Sequence, residues 1–292
     1  MSLPHALCIR PGKGRPLFLI HSIAGELTWV RHMAKYLETG HALYAFAAPG
    51  LNAEAPFFYR LEAMAAAYLR DLRQVQPRGP YLLGGYSMGG VLAFEIARQL
   101  QAAGEPVAQL ILMDAFAPRA ELGQQICHWS RNGLLLQVIT NQLALQWQAR
   151  QLLPPEALPR LPFNAQSGHG ARHLLEHCRV PHQEQALAAY LRRCQILMRV
   201  HAQLLADYRP TPLAPGPRVV LLRNTLGLIG QPSALALPQL PEPERNPAHA
   251  WEALLPAPPT TLPMAGEHFM LGGEAPMAEL CRILAPELEP DG

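Results

Sequence analysis

Short apolar runs along this chain alternate with stretches whose apolar residues return every three or four positions. Leu17-Phe18-Leu19-Ile20, Leu43-Tyr44-Ala45-Phe46, Tyr81-Leu82-Leu83, Leu110-Ile111-Leu112-Met113 and Val219-Val220-Leu221-Leu222 are continuous apolar runs, bounded by Pro, Gly or charged residues. Such runs predict strands buried on both faces. Between them, helical spacing runs from Glu26 to Leu37 (Leu27, Val30, Met33, Ala34, Leu37) and from Leu61 to Val75 (Leu61, Met64, Ala65, Tyr68, Leu72, Val75). A third helix follows Gly89-Gly90 through Val91-Leu92-Ala93-Phe94. Strand and helix in regular alternation predict a mostly parallel central sheet with helices on both faces, an α/β class.

The alternation stops at Pro118. From there to about Tyr208 only helical periodicity is present, broken at Pro154-Pro155, Pro159 to Pro162 and Gln166 to Gly170. Sheet patterning resumes at Arg218 and again near Thr260 to Pro263, and a last helix is expected from about Pro276 to Leu284. The pattern predicts a single domain over residues 1–292 with a helical lid inserted at 118–208.

Composition narrows the function classes. The 292 residues are 49% hydrophobic and 16% charged, with net charge +2 and only two lysines, Lys13 and Lys35. That leaves no basic stripe for nucleic acid or a membrane surface. No apolar run is long enough to span a bilayer, and the N-terminus lacks a signal-peptide pattern. Cys8, Cys127, Cys178, Cys194 and Cys281 are scattered, odd in number and without a C-x-x-C pair, as expected of reduced thiols in the cytoplasm.

The chemistry is concentrated at Gly85-Tyr86-Ser87-Met88-Gly89, which fits G-x-S-x-G between a strand and a helix. A serine on so sharp a turn needs glycines two positions before and after it, because side chains there would meet the neighbouring strand and helix. The alternative is a serine that merely caps the helix. As a nucleophile it needs a base, and an acid to orient the base, in the chain order serine, acid, histidine. Of the four aspartates, Asp71 lies within an amphipathic helix, Asp207 at a helix end and Asp291 in the tail. Asp114 directly follows a buried strand, where ligands bind in open parallel sheets. Of the twelve histidines, His268 falls between the last strand and the last helix. His249 is its rival in a proline-rich connection, and His201 shares an apolar helix stripe as a core or pocket residue. Two N–H donors are needed for an oxyanion. Met88 is expected to supply one, and Ile23, or alternatively Ala24, the other. His173-Leu174-Leu175-Glu176-His177 matches H-x-x-E-H, a zinc pattern, but the chain indicates no separate acidic ligand, so no metal is expected.

With those residues in place, the chain resembles the thioesterase domains of non-ribosomal peptide and polyketide synthases, which have the α/β-hydrolase fold. The likeness covers nearly the whole length. It is carried by Leu17 to Gly25, Ala48-Pro49-Gly50-Leu51, Gln76 to Tyr81 leading to the Ser87 turn, Leu110 to Asp114, Tyr208-Arg209-Pro210, Trp251-Glu252 and Gly266-Glu267-His268-Phe269. It implies Ser87, Asp114 and His268 as the triad and an acyl-serine intermediate. The substrate would be an acyl thioester on the phosphopantetheine arm of an acyl or peptidyl carrier protein, without a cofactor of the enzyme's own. Release would be by hydrolysis or macrocyclisation. Ser22 departs from the family, which often has proline there. The segment Leu221 to Thr225 lacks the carboxylate that free-standing editing thioesterases place there, so Asp114 points to the product-releasing type. Trp129, Trp147 and Phe163 are candidates for an acyl pocket, or for ordinary lid core. A stand-alone carboxylesterase or lipase and a non-catalytic carrier-protein-binding module are the competing readings.

Overall fold

In the computed structural model, residues 3–51, 56–179, 183–224, 250–265, 268 and 273–288 are described. Seven strands form one sheet: β1 (Ala6–Arg10), β2 (Gly14–Ile20), β3 (His41–Phe46), β4 (Tyr81–Tyr86), β5 (Val107–Met113), β6 (Arg218–Asn224) and β7 (Thr260–Met264). Their spatial order is β1-β3-β2-β4-β5-β6-β7. Among the described strands only β1 runs antiparallel, against β3. The remaining pairings are parallel, so every strand from β2 to β7 ends at the same edge. β1 was not expected. It is a short edge strand whose Ala6 is buried and whose Leu7 is 50% exposed, too weak a pattern to stand out.

The helices are α1 (Thr28–Tyr36), α2 (Leu61–Val75), α3 (Met88–Ala102), α4 (Ala120–Arg131), α5 (Leu134–Gln146), α6 (Phe163–His177), α7 (Glu184–Asp207) and α8 (Glu274–Leu284). Four of them, α4 to α7, lie between β5 and β6, where only helical periodicity was expected. The pleat sorts each apolar strand onto two faces. Phe18, Ile20, Leu83, Leu110, Leu112 and Leu221 point to the side shared with α2, α3 and the α4–α7 block. Leu17, Leu19, Leu82, Ile111, Met113 and Leu222 point to the side covered by α1 and α8.

α3 is the central helix. Val91, Leu92, Phe94 and Ile96 on it are completely buried, each contributing about 1.5–3 kcal/mol relative to exposure. Glu95 is buried on the same helix, and its carboxylate is neutralised in place. Arg98 donates to it at 2.7 and 2.8 Å, Gln99 at 2.7 Å and the Tyr208 hydroxyl at 2.6 Å. Tyr208 caps the end of α7, so this cluster ties the inserted helices to the helix that carries the nucleophile turn.

Candidate active site

The turn between β4 and α3 is built from close backbone approaches. A Cβ on Gly85 would lie 2.1 Å from the backbone of Gly89, and one on Gly89 would lie 2.3 Å from the carbonyl oxygen of Ile20. Both positions therefore need glycine. Ser87 itself has φ 58°, a left-handed conformation uncommon outside glycine. It is held there by its N–H, which donates to the Met113 carbonyl at 2.9 Å. Asp114 repeats the device one strand over, with φ 48° and its N–H on the Leu222 carbonyl at 2.7 Å. Strain of order 1–3 kcal/mol at each residue is sustained by the surrounding sheet.

These two turns project their side chains over the same edge of the sheet, where the chain returns beyond β7 with His268. His268 Nε2 is 2.9 Å from Ser87 Oγ, and His268 Nδ1 is 2.7 Å from Asp114 Oδ2. Ser87, Asp114 and His268 are all buried. Although Ser87 stands at the N-cap of α3, its hydroxyl makes no capping hydrogen bond. The oxygen is directed to the imidazole instead. His249 lies outside the described residues.

Three neighbours that sequence reasoning missed complete the arrangement. Asn224, the last residue of β6, donates from its backbone N–H to Asp114 Oδ1 at 3.1 Å and from its side-chain amide to Asp114 Oδ2. The Tyr86 hydroxyl donates to the His268 carbonyl. Burial and the nearby Asp114 carboxylate hold this phenol well above its ordinary pKa, so it remains a donor. The Phe116 ring lies 5.7 Å from the His268 ring. Tyr86 is visible inside the motif, and Asn224 stands at the strand end whose sequence carries no carboxylate.

Met88 is the first residue of α3, so its N–H belongs to the unpaired first turn. The loop bearing Ile23 leaves β2 directly over that turn, since the Ile20 and His21 carbonyls are the atoms a Gly89 side chain would strike. Ser22 Oγ donates to Glu26 at 2.8 Å, and Gly25 N–H closes a turn onto the Ser22 carbonyl at 2.9 Å. His201 is buried against this loop.

The aromatic candidates sit elsewhere. Trp129 is buried in the main core and Trp147 packs half-buried against it. Phe163 is covered by the guanidinium groups of Arg192 and Arg199, 4.1 and 4.4 Å from its centroid. None of the three lines the cleft that reaches Phe116. That cleft is walled by Val91, Phe116, Pro118, Leu122, Ile126 and Leu205, contributed by α3, α4, α7 and the segment after β5. The H-x-x-E-H histidines do share a face, their rings 4.5 Å apart. His173 Nε2 lies 3.1 Å from the Gln151 carbonyl, which only accepts, so this ring is engaged within the inserted block.

The thioesterase-domain family profile matches residues 15–162, half of the chain. An atromentin synthetase of Serpula lacrymans var. lacrymans is 40% identical over 96 residues, 33% of this chain and 10% of that protein. A non-reducing polyketide synthase of Arthrinium sp. is 47% identical over 104 residues, 35% of this chain and 5% of that protein. The chain thus spans a tenth or less of the length of these curated relatives. Among solved structures, the NocB thioesterase domain in covalent complex with a fluorophosphonate nocardicin G analogue superposes with TM-score 0.61 at 22% identity, covering 98% of this chain and 99% of that one. The surfactin-cyclising thioesterase domain SrfTE superposes with TM-score 0.59 at 16% identity, covering 99% and 98%. The fold is that of these α/β-hydrolase domains, and on the sequence match the chain belongs to the thioesterase-domain family.

Proposed function

We propose that the chain releases an acyl, peptidyl or polyketide chain from the phosphopantetheine thioester of a carrier protein, by way of an acyl ester on Ser87. The observation that carries the proposal is the hydrogen-bonded series Ser87 Oγ, His268 Nε2, His268 Nδ1, Asp114 Oδ2 at 2.9 and 2.7 Å, in a chain of the thioesterase family. His268 takes the Ser87 proton as Oγ attacks the thioester carbonyl, and Asp114 fixes the imidazole with Nδ1 protonated. The negative charge on the carbonyl oxygen is met by the N–H groups of Met88 and Ile23, donors of a kind each worth about 10²–10³ in rate. The C–S bond breaks and the pantetheine sulfur leaves with the proton from His268. His268 then deprotonates water, or a hydroxyl or amine on the acyl chain itself, and returns that proton to Ser87 Oγ as the tetrahedral intermediate breaks its bond to the serine. The products are an acid or a ring. Helices α4 to α7 act as a lid that limits water at the acyl-serine. The carrier protein is the partner and the enzyme brings no cofactor. No described helix is long and apolar enough to cross a membrane, and five free cysteines suit the cytoplasm.

The test is to supply an acyl-pantetheine thioester, quench, and locate the adduct by mass spectrometry. An acyl group on Ser87, absent from Ser87→Ala along with turnover, is the expected result. Faster turnover of a simple oxygen ester than of the thioester would favour a carboxylesterase. No acyl or fluorophosphonate adduct on Ser87 would leave only a carrier-binding module.

A further inference from the structure

Two histidines outside the triad are buried side by side beneath the Ile23 loop. The His21 and His201 rings are stacked, 5.2 Å between centroids and 22° between planes. His21 follows β2, whereas His201 belongs to α7 in the inserted block. Their Nδ1 atoms meet consecutive carbonyls: His21 lies 2.7 Å from Ser22 O, and His201 lies 2.7 Å from Ile23 O. A carbonyl only accepts, so both Nδ1 atoms carry protons. His21 Nε2 is then an acceptor, and the Tyr68 hydroxyl reaches it at 2.8 Å. Burial keeps both rings neutral, with pKa values pushed down to about 3 for His21 and about 4 for His201.

The C=O and N–H of a planar trans peptide point in opposite directions. Fixing Ser22 O therefore fixes the direction of the Ile23 N–H, and fixing Ile23 O fixes that of the Ala24 N–H. These are the two candidate second donors to the oxyanion. The same face of α7 meets the loop a turn earlier, where Leu197 would lie 3.1 Å from a Cβ on Gly25. We propose that His21 and His201 are positioning residues which, through the Ser22 and Ile23 carbonyls, aim the second oxyanion donor. The aim is then set only while α7 is docked on the loop. The proposal rests on Ser87 being the nucleophile, as read above. It makes the inserted block part of the catalytic geometry as well as a cover.

The test compares His201→Leu, which keeps bulk and loses the donor, with His201→Asn, whose side-chain NH2 can occupy the place of Nδ1. With an acyl-pantetheine thioester, His201→Leu should lower kcat by about 10–100-fold with KM little changed. It should weaken binding of an alkylboronic acid, whose oxygen occupies the oxyanion site, by a comparable factor. Binding of an S-alkyl pantetheine thioether, which has no carbonyl to place in the oxyanion site, should be unaffected. His201→Asn should restore most of the loss. Equal losses in both variants, or full kcat in His201→Leu, would overturn the proposal. A reading independent of turnover and of variant folding comes from the nitrogen NMR shifts of the wild-type imidazoles. Both must be neutral with the proton on Nδ1, and an Nε2–H tautomer at His201 would end the proposal. If instead Ser87→Ala retains turnover while the tautomers are as stated, it is the catalytic reading that fails.

Discussion

Acidification below neutral pH should destabilise this protein through its buried imidazoles. In the unfolded chain His21 and His201 take up protons near pH 6.5; in the folded chain they stay neutral down to about 3 and about 4. Below 6.5 the unfolded state therefore binds up to two more protons than the native state, and stability falls as pH falls. Each histidine contributes a slope approaching 1.36 kcal/mol per pH unit. Between pH 7.5 and pH 5 the pair should cost about 4 kcal/mol, a large share of the roughly 5–15 kcal/mol that holds a domain together. His5 and His173, also depressed by desolvation, act in the same direction. Glu62, which Arg60 holds below the ordinary carboxylate value, gives up its contribution only at lower pH, outside this window. Urea midpoints of the wild type and of His21→Asn/His201→Asn, measured from pH 7.5 to 5, isolate the pair. The double variant should be markedly flatter, with His201→Asn alone about halfway. Identical pH slopes in wild type and double variant would refute the placement of these rings as buried and neutral.

Other substitutions address the site and its supports. Gly89→Ala puts a methyl 2.3 Å from the Ile20 carbonyl oxygen. It should displace the first turn of α3 by roughly 1 Å and lower kcat by about 100-fold, and near-normal turnover would show the contact is looser than drawn. Asn224→Leu removes the amide donor to the Asp114 carboxylate, a charge-assisted bond worth about 1.5–3 kcal/mol. A kcat drop of tenfold or more is expected, and an unchanged kcat would mean that the backbone N–H of residue 224 suffices. Tyr208→Phe strips one donor from the buried Glu95 carboxylate and should destabilise the fold by about 2 kcal/mol, read as a lower urea midpoint with the Ser87 labelling rate retained. Equal midpoints would place Glu95 adequately satisfied by Arg98 and Gln99.

Local pattern alone determined much of this protein. Apolar runs marked β2 to β6, helical spacing marked α1, α2 and the inserted block, and the Gly85–Gly89 turn named Ser87. Chain order then singled out Asp114 and His268, which the fold brings within hydrogen-bond reach of one another. These features are legible because propensity, periodicity and turn chemistry act within a few residues of each other. What the chain pattern left open depends on groups that meet only when the sheet closes. A run such as Leu17 to Ile20 is apolar throughout, and the pleat decides that Phe18 faces α3 while Leu19 faces α1. Asn224 reaches Asp114 across 110 positions because β5 and β6 are neighbours, with Asp114 N–H already paired to Leu222. His201 reaches the Ile23 carbonyl across 178 positions because α7 docks on the loop after β2. The aromatic residues of the inserted block show the same dependence: their pattern left pocket and core open, and packing sets Trp129 in core and Phe163 beneath two arginines. A hydrogen bond or a cavity wall is a property of distance in space, and distance in space is assigned by strand order and helix docking.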